Sequence, residues 1–161
     1  MSNRVRLLPI NDEMLELLLA VAVAEAKPEE VMPPVEAPPG WSPARREAFR
    51  EFHRASYGGL DGPTRNQMYV VVVGDEVVGM AALGGLHEPG AAETGMWLGR
   101  PMRGRGVGAA ALTEVMQEAA RLGLRSVVAR TTRTNVAALT VLAKFGARLR
   151  SEGEDVHAAN P

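Results

Sequence analysis

"PMRGRGVGAAALTEV", Pro101 to Val115, places three glycines and two arginines within residues 103–108 and then runs into alanine and leucine. Glycine at that density disfavours helix, because its backbone loses the most freedom on folding. Yet the residues that follow read as a helix. Leu112, Val115, Met116 and Ala119 share one face at helical spacing, and Gly123 stops the run. The stretch is therefore read as a strand-to-helix junction, with the helix beginning after the glycines. The first N–H groups of a helix lack internal partners, and its dipole is positive there. Glycine lets an anion approach without a Cβ in the way. Arg103, Gly104, Arg105, Gly106, Val107, Gly108 and Ala109 thus form a candidate phosphate cradle.

The elements around this junction can be placed from local chemistry. Upstream, "MYVVVVGDEVVGMAALGG" carries two β-branched runs around Gly74-Asp75, a hairpin turn signal. "AAETGMWLGR" reads as the next strand, antiparallel to the second arm. Near the start, "RVRLLPI" reads as a strand, and Asn11 or Asp12 can cap the helix after it. "KPEEVMPPVEAPPG" holds five of the eleven prolines, so residues 27–40 read as an irregular loop. Ser42-Pro43 starts a second helix. Downstream, "RSVVARTT" reads as a strand, Asn135 can cap "NVAALTVLAKF", and two short strands flank Gly153. The order β-α-α-β-β-β-α-β-α-β-β implies an α+β fold with a mixed, mostly antiparallel sheet and one β-α-β crossover. Residues 1–161 read as one domain, without repeats.

Bulk properties exclude several functions. Net charge is -1, so no basic field attracts nucleic acid or an acidic membrane. The chain has no cysteine, which removes thiolate nucleophiles and cysteine metal sites. His53, His87 and His157 lack ligand spacing, so no metal site is expected. No secretory leader or spanning segment is read, and the expected compartment is the cytoplasm.

Three anion-binding patterns compete for the glycines. A P-loop needs a lysine and then Ser or Thr after its last glycine, where Ala109 and Ala110 stand. A dinucleotide fingerprint is met in form by Gly104, Gly106 and Ala109. The next strand, however, offers Arg130 and Arg133 where that fold wants an acid. The third pattern is R-x-x-G-x-G, at Arg103, Gly106 and Gly108. With "ETGMWLGRPMRGRGVG" and the later "NVAALTVLAKFGA", it resembles the GNAT N-acetyltransferase superfamily, closest to the branch of ribosomal-protein N-terminal acetyltransferases.

That resemblance implies a GNAT-like sheet whose residues 93–146 bind acetyl-CoA, the acyl donor. The glycine loop would take the pyrophosphate on its N–H groups. Trp97, Leu98 and Gly99 would line the gap for the pantetheine arm, and Asn135 would lie beside it. Glu93, on the strand before the loop, would face the acceptor and act as general base, since an alkyl ammonium of pKa ~10 must lose a proton to attack. Residues 24–65 would wall the acceptor pocket. There Glu25, Glu29, Glu30 and Glu36 mix with Arg45, Arg46 and Arg50, so the sign of the acceptor stays open. The implied acceptor is an amine-bearing small molecule or a protein N-terminus, and a homodimer stays open. The sequence departs from the family at Leu142, where many members carry a tyrosine acid, leaving Tyr57 and Tyr69 or solvent. That departure keeps a second reading, a non-catalytic acyl-CoA sensor of the same fold.

Overall fold

The structure, a computed structural model, describes residues 4–132, 134–152 and 155–159. Strand β1 (Val5–Pro9) leads to helix α1 (Asp12–Glu25), a short helix α2 (Pro28–Val31) and α3 (Pro43–Arg54). A hairpin of β2 (Asn66–Val73) and β3 (Glu76–Gly85) continues into β4 (Ala91–Leu98). Then come α4 (Val107–Arg121), β5 (Ser126–Thr132), α5 (Val136–Lys144), β6 (Arg148–Glu152) and β7 (Asp155–Ala159). The strands form one sheet in the order β1-β2-β3-β4-β5-β7-β6, and only β4 and β5 run parallel. The expected mixed α+β sheet is found.

Local chemistry explains the boundaries. Asn11 accepts the Met14 N–H at 2.9 Å and caps α1, while Ser42 caps α3 through the Arg45 N–H. Asn135 caps α5 through the Ala138 N–H at 3.1 Å. Two expectations need correction. The proline-rich loop contains α2, because Pro28 stands where its missing N–H costs nothing and Glu30 accepts the Lys27 N–H at 2.8 Å. Helix α4 begins at Val107, so Gly108 lies in its first turn rather than before it.

The sheet is covered on both faces. One face, with Val71, Ala81, Leu83, Ala92 and Leu98, packs under Ala111, Leu112, Val115 and Met116 of α4 and Val141 and Leu142 of α5. The other face, with Met68, Val70, Met80 and Ala82, packs under Leu15, Leu18 and Leu19 of α1 and Phe49 of α3. Each large side chain fully buried contributes about 1.5–3 kcal/mol before entropy is counted.

His53 of α3 is completely buried. Its Nδ1–H donates to the Phe49 carbonyl at 2.7 Å, and Nε2 has no partner. Burial holds the imidazole below its ordinary 6.5, against the Phe49 carbonyl, which pulls it up. Above 6.5 both folded and unfolded chains carry neutral His53. Below it the unfolded chain gains the proton first, so stability falls as pH drops from 6.5 toward the folded value. Thermal melts from pH 7 to 5 should show a steeper loss in the parent than in His53→Gln. Parallel losses would contradict this.

Candidate active site

Strands β4 and β5 pair only at Ala91, Ala92 and Glu93, opposite Ser126, Val127 and Val128. Beyond Glu93 they part, while β4 stays paired with β3 as far as Leu98. The β5-facing N–H and C=O groups of Thr94–Leu98 therefore have no strand partner. A cleft of about 540 Å³ occupies the opening. Its walls are Thr94, Gly95, Met96, Trp97 and Leu98 on one side and Ala129, Arg130 and Thr131 on the other. Gly104, Gly106, Gly108 and Ala109 close one end, and Asn135 and Ala138 at the start of α5 line it too, with Leu142 near the end of that helix. The positive ends of two helices thus meet one cleft.

The glycine loop is shaped for its turn. Gly104 and Gly106 have φ of 73° and 80°, in the left-handed region that side chains with a Cβ disfavour. A Cβ on either would meet nothing within 4 Å. Backbone conformation, and not crowding within the chain, is therefore what calls for glycine. Gly106 sits at the N-cap of α4 and offers no side chain to its N–H groups. The first helical bond runs from the Ala110 N–H to the Gly106 carbonyl at 3.1 Å. That leaves the N–H groups of Val107, Gly108 and Ala109 as the three that precede the ladder. Val107 turns its side chain into the core.

Of the residues expected at the donor site, Trp97, Leu98, Arg103, Gly104, Gly106, Gly108, Ala109 and Asn135 line the cleft. Gly99, Arg105 and Val107 do not. Gly99 is buried, and its N–H donates to the Val78 carbonyl at 2.8 Å. Arg105 is exposed. Arg103 does more than lend charge: its Nε–H donates to the Leu98 carbonyl at 3.1 Å, tying the loop to the end of β4. Its Nη2 lies 3.6 Å from Glu30, which Arg100 approaches at 3.7 Å. The Lys27 N–H, helped by these arginines, holds the Glu30 carboxyl below the usual carboxylate range against partial desolvation. Glu30 enters the cleft wall through α2, the element hidden in the proline-rich stretch. The Trp97 indole N–H is buried without a hydrogen-bond partner.

Glu93 lies at the last paired position, where the strands begin to part. It shares a sheet face with Gly95 and Trp97, the face that α1 and α3 cover. Its side chain is about 39% exposed and stands 3.7 Å from Arg130, itself 66% exposed. Such an open pair is worth ~0–1 kcal/mol, so a competing cation can displace the arginine. Neither tyrosine lines the cleft. Tyr57 donates to Asp12 at 2.9 Å, and burial together with that carboxylate pushes it up to about 12. Tyr69 is pushed up to about 12 by burial, with the Glu118 carboxylate adding to it. Leu142, the residue at which the sequence departs from the resemblance, is buried in the cleft wall.

The arginines of residues 24–65 are occupied. Arg45 donates to the carbonyls of Val35, Ala37, Pro38 and Gly40, and Arg46 to that of Trp41. Arg50 binds Glu16 and Glu47. Among the described residues no three of His, Asp and Glu gather into a metal site, and no helix is long and apolar enough to cross a membrane.

The class of protein is an α+β fold whose one parallel strand pair opens beside two helix N-termini. The acetyltransferase (GNAT) domain model matches residues 4–148, and the chain belongs to that family. It is an N-acetyltransferase by family. No curated protein matches it. Among solved structures, the RimL ribosomal-protein alpha-N-acetyltransferase in complex with coenzyme A is 19% identical with a TM-score of 0.66, over 99% of this chain and 94% of that one. Mycobacterium smegmatis RimJ, in complex with CoA-disulfide, is 19% identical with a TM-score of 0.62, over 96% and 79%. Campylobacter jejuni PseH, in complex with acetyl coenzyme A, is 12% identical with a TM-score of 0.62, over 96% of each chain. At these identities the likeness is one of fold.

Proposed function

We propose that the chain transfers the acetyl group of acetyl-CoA to a primary amine. The observation that carries this reading is the parting of β4 and β5 after Glu93, directly beside the glycine-shaped start of α4. The pyrophosphate would rest on the N–H groups of the loop up to Ala109, chiefly those of Val107, Gly108 and Ala109, since the Arg103 N–H already donates to the Arg100 carbonyl at 3.1 Å. The pantetheine arm would lie along Thr94–Leu98 and take their unpaired backbone groups, with Asn135 and Trp97 beside it. Residues 93–146 would form the donor half and residues 24–65 the acceptor wall of one domain. Every group invoked comes from one chain, so the reading needs no dimer.

Glu93 would take the proton of the acceptor ammonium, directly or through one water, once that cation displaces Arg130. The nitrogen then attacks the thioester carbonyl and the thiolate leaves. A thiol of pKa ~8.5 makes a tolerable leaving group, so solvent can supply its proton. The arginines of residues 24–65 turn onto loop carbonyls and acids of the same chain, which favours a cationic acceptor, either a small amine or a protein N-terminus. A cysteine-free acetyl-CoA enzyme suits the cytoplasm.

Arg103 is expected to matter less than the backbone. Arg103→Ala should weaken coenzyme A binding by less than about tenfold, because the amide cradle survives. Complete loss of binding would make the guanidinium the main anchor. The reading itself is tested by thiol release from acetyl-CoA with a peptide N-terminus, an aminoglycoside and a polyamine. Turnover with at least one is expected. Tight coenzyme A binding without turnover on any would favour the sensor instead.

A further inference from the structure

Beside Glu93 the sheet face carries two positions without a side chain, Gly84 and Gly95. The strand register aligns Asn66 of β2, Gly84 of β3 and Glu93 of β4 in one row. All three share the sheet face covered by α1 and α3. Gly84 brings no side chain between the other two. A Cβ there would meet only Asn66 Oδ1 and the Glu93 carbonyl oxygen, each at 3.9 Å, an ordinary contact. Next to Glu93 on the same face, Gly95 has nothing within 4 Å of its Cβ position.

Asn66 Oδ1 is buried beside Gly84 without a hydrogen-bond partner. An unpaired buried amide oxygen keeps its full desolvation cost, and native structures rarely hold one without use. The atom accepts and cannot donate, so the missing partner carries an N–H or O–H. Two strands away in the same row stands Glu93, whose carboxylate lies 3.7 Å from Arg130, so a cationic N–H group that displaces the arginine matches both acceptors.

We propose that Asn66 Oδ1 and the Glu93 carboxylate together receive the ammonium group of the acceptor, in the space that Gly84 leaves open. The proposal rests on the acetyl-transfer reading of Glu93. Two strand spacings of about 4.8 Å separate the Cα atoms of the pair. Two side chains and one nitrogen, with hydrogen bonds of about 2.9 Å, bridge that span. A primary ammonium has three N–H groups, one for each of these acceptors and one for water. An N-alkylated amine loses donors and adds bulk where Gly84 gives little room. The acceptor class is therefore an unhindered primary amine.

The test uses the full chain and ethylammonium as probe, with tetramethylammonium, a cation without N–H groups, as control. Amide NMR shifts are followed at constant ionic strength. Ethylammonium should give saturable shifts centred on residues 66, 84 and 93, and tetramethylammonium should not. Asn66→Leu and Gly84→Val should each weaken ethylammonium binding about tenfold or more. Asn66→Asp, which keeps an accepting oxygen, should retain it. Valine suits a strand, and Gly84 has no positive φ, so the second variant reports even where the first fails to fold. Coenzyme A affinity, by calorimetry, should be unchanged in all three. Absent saturation in this row, an equal response to both cations, or unchanged affinity in Gly84→Val overturns the proposal. Failure of the parent to bind coenzyme A, with ethylammonium still titrating the row, removes the donor reading and leaves this site standing.

Discussion

Replacing Gly106 by tryptophan is expected to weaken coenzyme A binding at least a hundredfold, or about 2.7 kcal/mol. Gly106 lines the cleft, and a Cβ there meets open space, so the indole would occupy volume that the ligand needs. The φ of 80° adds strain of roughly 1–2 kcal/mol to the folded chain. For a chain of this size that lowers the melting temperature by roughly 2–8 °C, so the variant should still fold. Gly123 supplies the control. It has φ of 77°, open space around its Cβ position, and sits at the far end of α4. Gly123→Ala should carry similar backbone strain and leave the affinity unchanged. Equal loss in both variants would mean that destabilisation, and not occupancy of the cradle, lowers affinity.

Glu93→Gln is expected to lower the acetylation rate by roughly a hundredfold or more at neutral pH, the usual worth of a positioned base. Coenzyme A affinity should not change, because Glu93 lies outside the glycine loop and the cleft lining. The deficit should shrink as pH rises toward the pKa of a free alkyl amine, ~10, since an amine already neutral needs no base. Rates compared between pH 7 and 10, on whichever amine the acceptor panel yields, would show this convergence. A constant ratio would assign Glu93 a structural or binding role.

The elements that follow from local rules were legible in the sequence. The β2–β3 hairpin, the caps at Asn11, Ser42 and Asn135, and the end of α4 at Gly123 each depend on a few adjacent residues. Helix α2 was not legible, because four residues are too few for a periodic signal and a proline at its start with four more after it argues against helix. Much of the cleft is also non-local. Arg130 was read only as a missing acid, yet it pairs with Glu93 across the opening of two strands. Glu30 was one acid among several until α2 carried it to Arg103, a contact spanning more than seventy residues. The even balance of charge in residues 24–65 hid an asymmetry. The arginines turn back onto loop carbonyls and Glu16, which composition does not reveal. The row of Asn66, Gly84 and Glu93 likewise emerges only from strand register.

The most direct test of the donor site is a titration of the full chain with acetyl-CoA, followed by backbone amide NMR. The account predicts saturable binding. The largest shifts should fall on the N–H groups of Val107, Gly108 and Ala109 and along Thr94–Leu98, with Asn135 also moving. Absence of saturable binding, or shifts clustered away from the opening between β4 and β5, would contradict it.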